Sequence, residues 1–166
     1  MNLVPKLTPT TNDQLKEAPS QLIPPILKMM PESEIPPQAE PRPLKIAIVG
    51  TAPSSRGLAP FNDPSWTIWV CSPGNMNIVP RVDAWFEIHN SLLWPENKHY
   101  GEPYIKWLKE QKFPIYMQDQ SMVPNAITYP KDKMVARFGK YFFTSSFAWM
   151  MALAIKQGAK EIGLWG

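Results

Sequence analysis

The chain has 166 residues, of which 44% are hydrophobic and 11% aromatic, so it is long enough to fold around one packed core. Its formal net charge is only +3 and its basic residues form no stripe, which argues against a specific nucleic-acid surface. A single cysteine, Cys71, excludes an intrachain disulfide and fits a reducing compartment. The sequence has no apolar run long enough to span a membrane and no signal-peptide pattern. We therefore expect a soluble protein made in a cytoplasm.

Proline marks the one clear boundary in the chain. Of the 20 prolines, ten lie in the first 43 residues. Each X-Pro step disfavours helix at the preceding residue and removes a backbone hydrogen-bond donor. Residues 1–43 are therefore predicted to form an extended, polyproline-like arm, and residues 44–166 are predicted to form the folded domain.

One part of the arm is strongly apolar, although its prolines prevent it from building a core of its own. Such a segment can dock on its own domain or on a neighbouring subunit, where contacts offset the entropy lost on ordering. The alternative is a disordered linker, which is the usual fate of proline-rich sequences. The candidate partner-binding residues are Leu22, Ile23, Ile26, Leu27, Met29 and Met30.

The apolar run Leu44–Val49 predicts the first strand of the domain, buried on both faces as interior parallel strands are. Gly50 and a short stretch of small and hydroxyl residues, Thr51–Ser55, follow it directly. A glycine lets the backbone approach a ligand, and free N–H groups with hydroxyls can face an anion. The pattern is neither a dinucleotide fingerprint nor a Walker loop, and the alternative is a tight turn without a ligand.

Strands and helices alternate through the rest of the domain. Further strands are predicted at 66–71, 84–88, 113–117, 126–129 and 161–165, and helices at 100–111, 131–138 and 144–158. This order predicts an α/β, Rossmann-like fold with a mainly parallel sheet and flanking helices. The last helix begins at Thr144-Ser145-Ser146, whose hydroxyls either cap the helix or form a second anion site.

Glu87 and His89 are the candidate catalytic residues. They stand two residues apart at the end of a predicted strand, so they share one face of it and can act as an acid–base pair. Asp83 is a third candidate. The alternative is a solvated strand end with an ordinary glutamate and histidine. Two histidines and one cysteine show no metal-ligand spacing, so no metal site is expected.

Three motifs, Gly50–Ser54, Cys71-Ser72 and Thr144–Ser146, resemble those of bacterial lipooligosaccharide sialyltransferases and of pterin-pyrophosphokinase-like domains. In the sialyltransferases the corresponding motifs line a cytidine nucleotide pocket. The resemblance therefore implies a site for a nucleotide or a CMP-sugar. The residues that it assigns to this site are Gly50, Thr51, Ser54, Ser72 and Ser145.

The chain departs from the sialyltransferase pattern at several positions. Thr51 and Ser72 stand where that family has asparagine, and Ala52 and Ser146 stand where it has glycine. The family's catalytic histidine and tyrosines come from segments beyond the position of Gly166. The resemblance thus implies nucleotide binding without glycosyl transfer.

Most of residues 45–166 is also similar to small proteins of tailed bacteriophages that carry the pattern VGxAPSS…DPSW…CSPG…VDxWFExH…YFFTSS. This likeness implies synthesis in a host cytoplasm and a place in the virion. It also implies a second possible function, which is a structural virion component of the capsid, neck or tail. In that function the proline-rich arm, residues 1–43, anchors the protein to neighbouring subunits.

Overall fold

The computed structural model divides the chain into two units, Met1–Ala39 and Glu40–Gly166. It describes residues 44–89 and 100–166 of the second unit. The predicted arm, with its candidate partner-binding residues between Leu22 and Met30, lies outside the described residues. Its docking and its role in a virion therefore stay predictions.

The described residues form one six-stranded sheet in the order β5-β4-β3-β2-β1-β6. Its strands are β1 (Lys45–Val49), β2 (Trp66–Cys71), β3 (Ala84–Glu87), β4 (Ile115–Met117), β5 (Ile127–Thr128) and β6 (Glu161–Trp165). Every neighbouring pair runs parallel. The predicted α/β fold with a parallel sheet is confirmed, and the sheet is entirely rather than mainly parallel.

Helices connect the strands. They are α1 (Pro53–Arg56), α2 (Glu102–Glu110), α3 (Lys131–Phe138) and α4 (Ser146–Lys156), with 3-10 turns at Pro73–Asn75 and Lys140–Phe142. The sequence predicted the last three helices but left α1 as loop. This single turn begins at Pro53. Proline suits the first position of a helix because the N–H that it lacks would have no partner within the helix. In the described ranges no helix combines the length and apolar character needed to cross a membrane.

Strand β1 is an interior strand, paired with β2 on one side and β6 on the other. Its residues from Ile46 to Val49 are completely buried. Ala47 and Val49 belong to the apolar cluster on one face of the sheet, and Ile46 and Ile48 to the cluster on the opposite face. Because packed side chains cover both faces of the sheet at β1, this strand needs an uninterrupted run of apolar residues.

The two faces of the sheet are covered by different helices. Helix α2 packs Tyr104 and Leu108 into the first cluster, and α4 packs Met150 and Leu153 into the second. The chain runs outward from β1 to β5 and returns to the other side of β1 as β6. We call the junction between β1 and β6 the reversal point. In sheets of this kind, ligands bind beyond the carboxyl ends of the strands where the order reverses.

Candidate functional site

Gly50 lies at the reversal point, directly after β1, and its own chain fills the space around it. Its N–H donates to the Trp165 carbonyl oxygen at 2.7 Å. A Cβ atom on Gly50 would lie 2.4 Å from the Gly166 carbonyl oxygen and 2.8 Å from Cζ of Phe147. We predicted that this glycine lets the backbone turn sharply and approach a ligand, with a tight turn without a ligand as the alternative. In the structure, the missing Cβ also allows close contact with Gly166 and Phe147.

The loop after β1 divides its hydroxyl groups between internal contacts and solvent. Ser55 accepts a hydrogen bond from the Gly166 N–H at 2.7 Å, which joins the loop to the end of β6. Thr51 and Ser54 are exposed. These two hydroxyls are therefore placed where a solute at the carboxyl edge of the sheet can reach them.

The ends of β1 and β2 are joined by Asn75, a residue that the sequence analysis did not single out. Its side chain is fully buried, and Nδ2 donates to the carbonyl oxygens of Gly50 (2.9 Å) and Cys71 (2.8 Å). Ser72, in the preceding turn, has a left-handed φ of 77° and accepts a bond from the Gly74 N–H. Asparagine at the end of a strand-terminal turn is a signal for this kind of carbonyl bridge.

Arg56 places a cation at the same edge and was also missed. Its Nη1 donates to the Asn75 Oδ1 atom at 3.2 Å and lies 3.4 Å from the Gly74 carbonyl oxygen. The guanidinium is thus held between α1 and the turn after β2. The signal in the sequence was a basic residue directly after the serine-rich loop, where a bound anion would meet it.

The start of α4 completes this group of segments. Ser145 accepts a hydrogen bond from the Ala148 N–H at 3.3 Å, so its hydroxyl caps the helix. Two residues on, the Phe147 ring lies against Gly50. The three motifs that carried the sialyltransferase resemblance are therefore neighbours in space, with Thr51 in contact distance of Gly74 and Gly50 at their centre.

Glu87 ends β3 and is only 1% exposed. Its Oε2 accepts a hydrogen bond from the Tyr104 hydroxyl at 2.8 Å, and that hydroxyl accepts one from Trp85 Nε1 at 2.8 Å. Its Oε1 accepts bonds from the backbone N–H of His89 (3.2 Å) and from the ring atom Nδ1. Glu87 is thus a buried and hydrogen-bonded carboxylate rather than a solvated strand-end residue.

The His89 ring is held by Glu87 and is 33% exposed. A carboxylate can only accept, so Nδ1 carries the proton in the neutral ring and Nε2 carries the lone pair. The hydrogen bond to Glu87 raises the pKa of His89; partial burial works against this shift, and the Glu87 charge adds to it. Tyr100 lies beside the ring, with its hydroxyl 3.3 Å from Nδ1.

Three of the described groups near this pair, Cys71, Tyr100 and Tyr104, are held in their neutral forms. Burial, followed by the charge of Glu87, raises the pKa of both Tyr100 and Tyr104. The same two causes raise the pKa of Cys71 to about 12. Near neutral pH the two phenols and the thiol are therefore protonated, and none of them is an activated nucleophile.

Asp83 does not join Glu87 and His89. It immediately precedes β3, at the opposite edge of the sheet from Glu87. There its Oδ2 accepts a bond from the Ile68 N–H at 2.7 Å and pairs with Arg81 at 2.7 Å. The length of β3 therefore separates Asp83 from Glu87 and His89. The expected third catalytic carboxylate instead binds Arg81 and the backbone of β2.

The carboxyl edge continues past β3 to β4 and α3. Gln118 follows β4 and donates from Nε2 to the Ile88 carbonyl oxygen. Lys131 donates from Nζ to Gln118 Oε1 at 2.7 Å, which adds a second cation to this edge. Within residues 44–89 and 100–166, His, Cys, Asp and Glu side chains form no group of three that could hold a metal ion.

Comparisons of the chain with protein-family models, with curated proteins and with solved structures find no match.

The raised pKa of His89 makes folding depend on pH. A histidine whose pKa is higher in the folded protein stabilises the fold fully below its unfolded pKa, about 6.5, and loses this effect as pH rises through the folded value. We expect the free energy of unfolding of the wild type to fall, relative to that of His89→Gln, above about pH 6.5. Urea denaturation between pH 5.5 and 8.5 measures the difference, and parallel curves for the two proteins would contradict it.

Proposed function

We propose that this chain is a Rossmann-like domain that binds a nucleotide or nucleotide-sugar at the carboxyl edge of its sheet. The observation that carries the proposal is the meeting of three hydroxyl-bearing segments around Gly50 at the reversal point. Thr51 and Ser54 supply exposed hydroxyls there, and the ring of Phe147, near the start of α4, lies against Gly50. This is the part of a parallel α/β sheet where nucleotides characteristically bind.

Charge supports a phosphate-bearing ligand. Both contacts of Arg56 with the turn after β2 use Nη1, and a guanidinium carries three further N–H donors. An anion beside Thr51 would meet a positioned cation as well as neutral donors. In the resembled sialyltransferases the corresponding motifs bind cytidine nucleotides, which makes CMP and CMP-sugars the first ligands to test.

Isothermal titration calorimetry with CMP, UMP, a CMP-sugar and a UDP-sugar tests the proposal. We expect at least one of them to bind with a dissociation constant between micromolar and millimolar, or about 4–8 kcal/mol. Thr51→Trp fills the exposed position in front of the loop, and Arg56→Met removes the cation. Each should weaken binding at least tenfold, on the order of 1.4 kcal/mol.

Thr128→Trp is the matched control. Thr128 is exposed on β5, four strands from β1, so it lies about 19 Å along the same edge. This variant should bind like the wild type. Absence of binding by all four ligands at millimolar concentration, or equal weakening by all three substitutions, would refute a nucleotide site at the Gly50 loop.

A further inference from the structure

Helix α3, the 3-10 turn that follows it and the first turn of α4 form a surface that the proposed nucleotide site does not use. We call residues 131–143 together with Trp149 the aromatic–basic surface. We propose that this surface binds single-stranded nucleic acid without preference for its sequence. It shares no residue with the Gly50 loop, so the two proposals are independent of each other.

Positive charge is concentrated on the aromatic–basic surface. Residues 131–143 contain a single acidic side chain, that of Asp132. Against it stand four basic residues, all of them exposed, which are Lys131, Lys133, Arg137 and Lys140. Such a surface attracts an anionic partner, and a polyanion gains most because its binding releases condensed counterions.

Aromatic rings form a continuous row through the same surface. The Phe138 and Phe142 rings stack with their centroids 5.9 Å apart, and Phe142 meets the ring of Phe143 edge-on at 5.2 Å. Phe143 in turn stacks on Trp149 at 3.7 Å. Tyr141 is 86% exposed and Phe142 is 41% exposed. Proteins bury most large aromatic side chains, so exposed rings on a packed row indicate a surface for a partner.

Three of the cations lie close to rings of this surface, at distances where a cation and a ring attract each other. A single strand repeats one phosphate and one flat base in every nucleotide. Phosphates pair with cations and bases stack on rings, so paired cations and rings match this repeat. The pairs, with the distance from the cation to the ring centroid, are Lys140 with Tyr141 (5.0 Å), Arg137 with Phe138 (5.5 Å) and Lys131 with Trp149 (6.0 Å).

A single strand fits these groups better than two other polyanionic partners. An anionic lipid surface takes up apolar side chains that project beyond the basic ones, whereas the most exposed ring here, that of Tyr141, ends in a hydroxyl. A duplex offers phosphates, but its bases are stacked on each other and cannot lie on a protein ring. Because every base has a π-face, stacking tolerates any sequence.

Fluorescence anisotropy of labelled oligodeoxythymidine and oligouridine, each of about 20 nucleotides, tests the proposal on the full chain. We expect a dissociation constant in the micromolar range at about 50 mM salt. Three phosphate contacts predict a slope of about −2 for the logarithm of the association constant against that of the salt concentration. The affinity should therefore fall about 15- to 20-fold between 50 and 200 mM salt.

Substitutions of Tyr141 test the stacking. Tyr141→Ala should weaken binding about 5- to 150-fold, the range found when a ring that stacks on a base is removed. Tyr141→Phe keeps the ring and should bind within about threefold of the wild type. The side chain is 86% exposed, so neither substitution threatens the fold.

Substitutions of lysine test the phosphate contacts. Lys140→Gln should weaken binding and reduce the magnitude of the salt slope by about 0.7, the contribution of one phosphate. Lys106→Gln is the matched control, because Lys106 is equally exposed but lies on α2, which covers the opposite face of the sheet. This control should keep the wild-type affinity and slope. Thr51→Trp should also bind the oligonucleotides like the wild type, which separates this surface from the nucleotide site.

Five results would overturn the proposal. The first three are no binding to either oligonucleotide at about 100 μM protein and low salt, wild-type affinity of Tyr141→Ala, and equal effects of Lys140→Gln and Lys106→Gln. The fourth is a duplex of the same length that binds at least as tightly as the single strand. The fifth is co-sedimentation with phosphatidylglycerol vesicles that Tyr141→Ala abolishes, without oligonucleotide binding, because it assigns the surface to lipid.

Discussion

Replacing Trp85 by alanine should lower the free energy of unfolding by about 3–5 kcal/mol, the usual cost of truncating a buried aromatic residue. Trp85 is completely buried in β3. Its ring lies 4.7 Å from that of Trp107 and 6.2 Å from that of Phe113, measured between centroids, and its Nε1 donates to Tyr104. The substitution leaves a cavity between the sheet and α2 and takes the donor from the Tyr104 hydroxyl.

Urea denaturation followed by circular dichroism measures this loss. Tyr141→Ala is the control, because that side chain is 86% exposed and its removal should change stability by no more than about 0.5 kcal/mol. Trp85→Phe should fall between the two, since it retains a ring but loses the indole N–H. A loss below about 1.5 kcal/mol for Trp85→Ala would contradict the tight packing of this ring between the sheet and α2.

Substitution of Gly50 by alanine should also destabilise the fold, by about 1–3 kcal/mol, as overpacking of a tight site does. The new Cβ would lie 2.4 Å from the Gly166 carbonyl oxygen and 2.8 Å from the Phe147 ring. The first of these atoms belongs to the backbone of the end of β6, so β1 and β6 must separate at the reversal point. Thermal and urea denaturation both report this change.

Gly57→Ala is the matched control for Gly50→Ala. Gly57 has an ordinary helical φ of −65°, and a Cβ there meets nothing within 4 Å. The control should be neutral or slightly more stable, because alanine restricts the unfolded chain. If Gly50→Ala keeps wild-type stability but weakens nucleotide binding, the glycine is required by the ligand and not by contact with β6.

The sequence alone was sufficient for the six strands and for helices α2, α3 and α4, in their order along the chain. The run Leu44–Val49 predicted a strand buried on both faces, because an interior parallel strand has no solvent side. Capping hydroxyls at Thr144–Ser146 and a glycine at position 158 marked the last helix, which spans Ser146–Lys156. These signals are local, since each depends on residues within one or two turns of chain.

The candidate pair Glu87 and His89 was also visible in the sequence, because a spacing of two puts both residues on one face of a strand. The burial of Glu87, and its bonds to Tyr104 and through it to Trp85, were not visible. Tyr104 follows Glu87 by 17 residues, and only the packing of α2 on the sheet brings the two side chains together. Asp83 and Glu87 are likewise close in the sequence, but Asp83 lies just before β3 and Glu87 lies at its carboxyl end.

Tertiary structure decided two further features of the proposed site. The return of β6 to the other side of β1 made Gly50 a contact point within the chain, and the fold of the turn after β2 brought Asn75 and Arg56 to the same edge. Each depends on groups far apart in the sequence, such as Gly166 and Ser55, which are 111 residues apart. Periodicity and capping signals report which element a residue belongs to. Which elements become neighbours depends on how all the apolar faces are buried together, and no local pattern carries that information.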